Sequence, residues 1–202
     1  VGIYSIKPAF QRSLGGVERL LVRHRVHPDY LTLGALALSA GGGLALFASN
    51  RVHLLLLLLI PVALGRTALN ALDGLVARDS GLARPWGEVL NEFCDRLSDV
   101  CLFAGVSVAP GSDSRLGAAV LVLMLLSSYL GTAAKAAGGT REYGGVMGKA
   151  DRMIYLSLAA LLAVVFPTLP VFRVFLIVVG AGLVVTIVQR LGKVHRALQP
   201  PR

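Results

Sequence analysis

Apolar runs of about 20 residues recur six times along the chain, at roughly 31–49, 52–76, 88–109, 115–136, 152–169 and 172–191. A helix of that length, rising 1.5 Å per residue, spans the ~30 Å hydrocarbon layer of a bilayer. The pattern therefore predicts six transmembrane helices. The turns "SNRV", "PGSDSR" and "PTLPVFR" are short, so little of the chain lies beyond one side of the membrane. The N-terminal segment follows a different period: Phe10, Leu14, Val17 and Leu21 form a stripe, with Arg12, Arg19 and Arg23 mostly off it. This predicts an amphipathic helix. It either lies on the cytoplasmic leaflet with its basic side on anionic head groups, or packs on the protein's own cytoplasmic face. "HPDYLT" breaks that helix at Pro28 and offers Asp29 or Thr32 as the cap of the first span. The expected organisation is an amphipathic juxtamembrane helix over 1–27 and a six-helix membrane domain over 28–202.

Charge orients the pattern. Lys7, Arg12, Arg19, Arg23, Arg25, Arg78, Arg84, Lys135, Arg141, Lys149, Arg152, Arg190, Lys193, Arg196 and Arg202 fall on one side of the six runs, and only Arg51, Arg115 and Arg173 on the other. The positive-inside rule then places both termini in the cytoplasm. Composition agrees, since 15% charged residues leave whole segments without a polar face, where a soluble domain carries about a quarter. The expected class is an all-α integral membrane protein. Its net charge of +9 reflects that sidedness and not nucleic-acid binding, because no polar segment interleaves aromatic with basic residues. The opening "VGIYSIKPAFQRSLGG" has no short apolar core followed by small residues, so no cleavable signal is expected. Cys94 and Cys101 sit two turns apart on one helical face, too far to bond, and form neither a disulfide framework nor a zinc site.

The chemistry lies where the second and third runs meet. Ionisable groups inside apolar spans are costly and mark functional sites. Arg66, Asn70 and Asp73 descend one face of the second run; Asn91, Asp95 and Asp99 climb one face of the third. In antiparallel helices these match in depth as three rungs. Asp73 and Asn91 lie nearest the cytoplasm, Asn70 and Asp95 about one turn deeper, and Arg66 and Asp99 deeper again. The last rung can pair as ions, or Asp99 can act as an auxiliary carboxylate, as can Glu92. Such hard oxygens suit Mg²⁺, Mn²⁺ or Ca²⁺ and not zinc; His24, His27, His53 and His195 all lie near span ends and read as interfacial. Carboxylates, a metal, Arg78 and a loop framed by Gly74 and Gly87 suit a diphosphate, and hence phosphoryl or phosphodiester transfer at the cytoplasmic surface.

The stretch Asn70-x2-Asp73-Gly74-x2-Ala77-Arg78-x8-Gly87-x3-Asn91-x3-Asp95 resembles the signature of the CDP-alcohol phosphotransferases, D-x2-D-G-x2-A-R-x8-G-x3-D-x3-D, with every spacing kept. The resemblance covers the chain, including "HPDYLT" at the first span and "GKADR" before the fifth. It implies a six-helix bundle, a homodimer, in a bacterial or archaeal inner (cytoplasmic) membrane, with a polar cavity open to the cytoplasm. The implied reaction moves a substituted phosphate, typically phosphatidyl, from a CDP-linked donor such as CDP-diacylglycerol to an alcohol in phospholipid biosynthesis, releasing CMP. Its implied cofactor is Mg²⁺ or Mn²⁺. Carried over, Asp73 and Asp95 are metal ligands, Asp95 is also the candidate base, and Gly74, Ala77, Arg78 and Gly87 line the CDP site with Asp73. Lys135 and Arg152 are candidates for binding a phosphorylated polyol acceptor.

The chain departs from the signature at Asn70 and Asn91, which stand at the first and third aspartate positions. An amide ligates Mg²⁺ through its carbonyl oxygen but brings no charge. One tightly held metal is therefore expected, or a second that arrives only with substrate. A degenerate member that binds CDP-lipid without turnover is the alternative.

Overall fold

The computed structural model describes residues 7–139 and 144–199, and the side chains from residue 10 onward. Arg141 and Arg202 lie outside the described residues. All regular structure among the described residues is helical: α1 (Lys7–Ser13), α2 (Gly15–Arg23), α3 (Pro28–Ala48), a 3₁₀ segment (His53–Leu58) running into α4 (Leu59–Asp79), α5 (Pro85–Val108), α6 (Ser114–Ala136), α7 (Lys149–Val165) and α8 (Val171–Ala197).

Helices form at all six apolar runs, but the expectation of six membrane spans is not met. Four helical stretches are long and apolar enough to cross a membrane by length and composition: Pro28–Ala48, His53–Asp79, Ser114–Ala136 and Val171–Ala197. α5 is long but carries Glu88, Glu92, Asp95, Arg96 and Asp99 along its first four turns. α7 has only 17 residues and opens with Lys149, Asp151 and Arg152. With the six crossings goes the topology that rested on them.

Local chemistry explains the ends. Pro28 and Pro85 occupy the first helical positions of α3 and α5, where a missing N–H costs nothing. The cap of α3 is His27, whose Nδ1 accepts from the Asp29 N–H at 3.3 Å. Asp29 and Thr32, the expected caps, are used elsewhere. His53 Nε2 lies 2.8 Å from the Ala163 carbonyl and so ties two elements together. α4 ends where Gly81 takes a positive φ of 69°. The Leu82 N–H then reaches back to the Ala77 carbonyl at 2.9 Å. α6 is capped by Asp113, whose Oδ1 accepts from the N–H groups of Arg115 and Leu116, both at 3.0 Å. Those backbone donors hold the Asp113 carboxyl below the usual carboxylate range.

The N-terminal amphipathic segment is two helices, not one, hinged at Leu14. Leu14, Leu21, Val22 and Val26 pack against Leu31, Leu72 and Val76, while Val17 and Leu20 remain exposed. α2 therefore underpins α3 and α4 just below the polar rungs.

α3 packs most extensively on α5 and α4, α6 on α8, and α7 sits between α4 and α8. Leu46, Leu59, Phe103, Met124, Phe172 and Leu183 belong to one continuous apolar core beyond the polar end. Both cysteines are free, with Cys94 buried and Cys101 partly so. α3 and α5 cross backbone to backbone at Gly43 and Gly105. A Cβ on Gly43 would strike the Cys101 carbonyl, and one on Gly105 would lie 2.6 Å from the Gly43 carbonyl oxygen. Because backbone cannot move aside as a side chain can, Gly43→Ala is expected to destabilise the fold by about 1–3 kcal/mol. A lower unfolding midpoint in detergent checks this. Gly41→Ala serves as the control, since its Cβ meets nothing within 4 Å.

Candidate functional site

The adjoining ends of α4 and α5, joined by the Gly81 turn, form the two walls of the candidate site. On the outermost rung Asp73 is 5% exposed, and both of its oxygens accept hydrogen bonds, with Oδ1 taking only one. Oδ1 accepts from the Gly74 N–H at 2.6 Å. Oδ2 accepts from Thr32 Oγ1 at 3.0 Å and from Asn91 Nδ2. Thr32 thus brings α3 into the site. Asn91, held by its N–H₂, keeps its carbonyl oxygen available for another partner.

The deepest rung closes as an ion pair, with Arg66 Nη2 2.6 Å from Asp99 Oδ1 and both side chains fully buried. Two further arginines join it. Arg152 Nη2 lies 3.1 Å from Asp99 Oδ2, and Arg96 Nη1 lies 3.4 Å from the same oxygen. Arg66 also donates to the backbone carbonyl of Asp95 at 3.3 Å, which couples the buried cluster to the rung above.

The middle rung does not close on itself. Asp95 Oδ1 accepts from Lys149 Nζ, not from Asn70. Asn70 Nδ2 is buried and without a hydrogen-bond partner among the described residues. Asp95 and the Lys149 ammonium both lie within Coulombic reach of Asp73. Lys149 is presented by the start of α7, and the segment leading to it is strapped down. Arg190 Nε donates to the Gly144 carbonyl at 2.9 Å, and the Met147 N–H donates to Thr186 Oγ1 at 2.9 Å.

The remaining candidates separate by location. Gly74, Ala77 and Gly87 line the inner turns of the two walls, partly buried, and Arg78 is exposed beside them. Glu92 Oε1 lies 3.5 Å from Arg96 Nε, one turn away on α5. Lys135 is exposed, with its Nζ 2.7 Å from Glu88 Oε2 at the mouth. Arg152, read from the sequence as an acceptor ligand, is 4% exposed, with its guanidinium turned inward onto Asp99 and the Met147 carbonyl. Its place on the inner face of α7 accounts for that. Sequence reasoning did not anticipate Thr32, Arg96 or Lys149 at this cluster. Lys149 had a signal in the "GKADR" segment, but that spacing does not say which carboxylate it meets.

The donor set fits a hard divalent cation. It comprises the carboxylates of Asp73 and Asp95 and the amide oxygens of Asn91 and Asn70. Among the described residues no three His, Cys, Asp or Glu side chains gather into a metal-binding group. One or two carboxylates, completed by water and substrate phosphates, is how Mg²⁺ is ordinarily held.

No protein-family model matches the chain. It is similar to inner membrane protein YnbA of Escherichia coli (strain K12), at 37% identity over 166 residues and 82% of each chain. It is similar to the phosphatidylinositol phosphate synthase of Mycolicibacterium smegmatis, at 31% identity over 187 residues, covering 89% of this chain and 82% of that one. Among solved structures, Mycobacterium tuberculosis phosphatidylinositol phosphate synthase with CDP-DAG bound matches with a TM-score of 0.72 at 27% identity, covering 95% of this chain and 99% of that one. The same enzyme in complex with manganese and citrate matches with a TM-score of 0.71 at 27% identity, over 93% of this chain and 92% of the other.

Proposed function

The chain belongs to the CDP-alcohol phosphotransferase family, and from that premise we propose that it transfers a phosphatidyl group from CDP-diacylglycerol to an alcohol, releasing CMP. The observation that carries this reading is the pair of helices α4 and α5 that hold the signature positions on facing walls, with Asn91 bonded to Asp73 across them and Asn70 and Asp95 one turn further along. The relatives named for making phosphatidylinositol phosphate point to a phosphorylated polyol as acceptor. The site lies in a bacterial inner membrane and faces the cytoplasm. Arg84, Lys135, Lys149 and Arg152 gather at the end that holds Asp73, as the inside-positive bias of membrane proteins requires. The reading includes a homodimer, for which α5 offers the exposed stripe Trp86, Val89, Phe93 and Leu97, on the face opposite Asp95.

Asp73, Asp95 and the amide oxygens of Asn70 and Asn91 would hold the divalent metal. The chemistry such an ion would supply is charge neutralisation of the donor's diphosphate and of the departing CMP. The chain's own groups do the rest. Gly74, Ala77 and Gly87 leave room for the CDP moiety along the inner turns, and Arg78 at the rim supplies a guanidinium for its phosphates. Lys135 meets an anionic acceptor at the mouth. Asp95 takes the acceptor's hydroxyl proton as that oxygen bonds to the lipid-side phosphorus. The bond from this phosphorus to the bridging oxygen breaks, and CMP leaves with the electron pair. Arg66, holding the Asp95 carbonyl, and Lys149, on its Oδ1, fix the position of the carboxylate.

CMP release tests the assignment at its base. Asp95→Asn keeps the shape of the side chain but removes the proton acceptor, and it is expected to slow release by about 10²–10⁴-fold. A folded Asp95→Asn protein with wild-type turnover would move the base elsewhere.

A further inference from the structure

We propose that Lys149 is a built-in cation that stands where a four-aspartate site would place the charge of a second divalent ion, so that this chain works with one metal. The proposal rests on the metal-dependent transferase reading above and specifies how that site differs from the four-aspartate signature.

Three observations converge. First, the Lys149 ammonium is in direct hydrogen-bond contact with Asp95 Oδ1, on the rung where the two walls fail to meet. An ammonium is a compact point charge, and it repels a second cation brought to the same oxygen. Second, its position is fixed by the fold. The strap from Gly144 to Gly148 is held by Arg190 and Thr186 of α8, and the Asp151 carboxylate accepts from the Gly148 N–H at 2.9 Å. The residue after that anchored glycine is Lys149. Third, both asparagines present N–H groups where the signature has carboxylates. Asn91 Nδ2 is spent on Asp73 Oδ2, and Asn70 Nδ2 is a buried donor with no acceptor among the described residues. A buried donor without a partner is costly, and a phosphate oxygen satisfies it where a cation cannot. Each departure from four carboxylates therefore runs the same way: a negative group is replaced by a neutral amide, and a positive charge sits on Asp95. The remaining open oxygens, around Asp73 and Asn91, suffice for one ion.

The account is tested by titrating the purified full chain in detergent with Mn²⁺ alone and reading free Mn²⁺ by electron paramagnetic resonance. The wild type is expected to bind one ion. Lys149→Gln is expected to bind it about tenfold more tightly, because the neighbouring like charge is gone. Lys149→Arg, which keeps the charge, should match the wild type. Asn70→Asp/Asn91→Asp/Lys149→Gln is expected to bind two. Size-exclusion elution and helical circular dichroism verify folding. Should Lys149→Gln fail to fold, Asn70→Asp/Asn91→Asp with Lys149 in place decides the matter: one tight ion supports the proposal and two equivalent tight ions overturn it. Two ions on the wild type, or no gain in affinity in folded Lys149→Gln, likewise overturn it. One ion on a wild type that releases no CMP from CDP-diacylglycerol would sink the transferase reading while still supporting the fixed cation. Two ions on an active wild type would sink the fixed cation alone.

Discussion

Asp73→Asn is expected to abolish most CMP release, by on the order of 10²–10³-fold or more, while leaving the fold intact. The substitution is nearly isosteric, and the new amide oxygen can still accept from Thr32 or Asn91. What disappears is the carboxylate on the outer rungs that, among the described residues, has no ammonium or guanidinium as an ion-pair partner. Asp95 is offset by Lys149, and Asn70 and Asn91 carry no charge, so Asp73→Asn leaves the metal with almost no electrostatic hold. Mn²⁺ affinity should fall in parallel with turnover. Thr32→Ala is a useful contrast. It removes one neutral hydrogen bond to Asp73, worth about 0.5–1.5 kcal/mol, and should reduce activity far less. Equal losses in the two variants would mean that the charge of Asp73 is not what matters.

Asp99→Ala is expected to be the most destabilising single change at the polar end. Arg66 and Asp99 are both fully buried, Arg152 is nearly so, and Arg96 leans on the same carboxylate. Taking away the shared anion leaves buried guanidinium groups without a counter-charge, at a cost of about 3–5 kcal/mol. The effect should appear as a large drop in the unfolding midpoint in detergent. The double change Arg66→Met/Asp99→Leu removes both members of the closest pair and should cost less than Asp99→Ala alone, since no new charge is orphaned at Arg66. Because Arg66 also holds the Asp95 carbonyl, Asp99→Ala should lower activity even in the fraction that stays folded. An unfolding midpoint equal to that of the wild type would show that the cluster contributes nothing to stability.

The positions of the helices and the two polar walls were legible in the sequence, because periodicity and depth are local properties. Asp73 meets Asn91, and Arg66 meets Asp99, as antiparallel matching at 1.5 Å per residue anticipates. The number of spans was misread because an apolar run counts the same whether its polar residues are scattered or, as on α5, gathered on one inward face. The break between α1 and α2 had a faint signal in Gly15-Gly16, two poor helix formers in succession. Arg152 and Lys149 were the opaque cases. Both are basic residues beside an apolar run, which the inside-positive bias alone accounts for. Their partners Asp99 and Asp95 are 53 and 54 residues away, brought near only by the packing of α7 onto the α4–α5 pair. Asn70 and Asn91 stood out as departures at once, but whether they thin out a metal site or rebuild it depends on Lys149. Local pattern could not supply that neighbour.

The central claim is turnover at this two-asparagine site. The most direct measurement incubates the purified protein with CDP-diacylglycerol, Mg²⁺ or Mn²⁺, and a panel of free and phosphorylated polyols, and reads CMP and new phospholipid together. The account predicts CMP release that requires both the metal and an acceptor, matches the phospholipid formed one for one, and vanishes with a chelator. Protein that binds CDP-diacylglycerol yet releases no CMP with any acceptor or metal in the panel would contradict it.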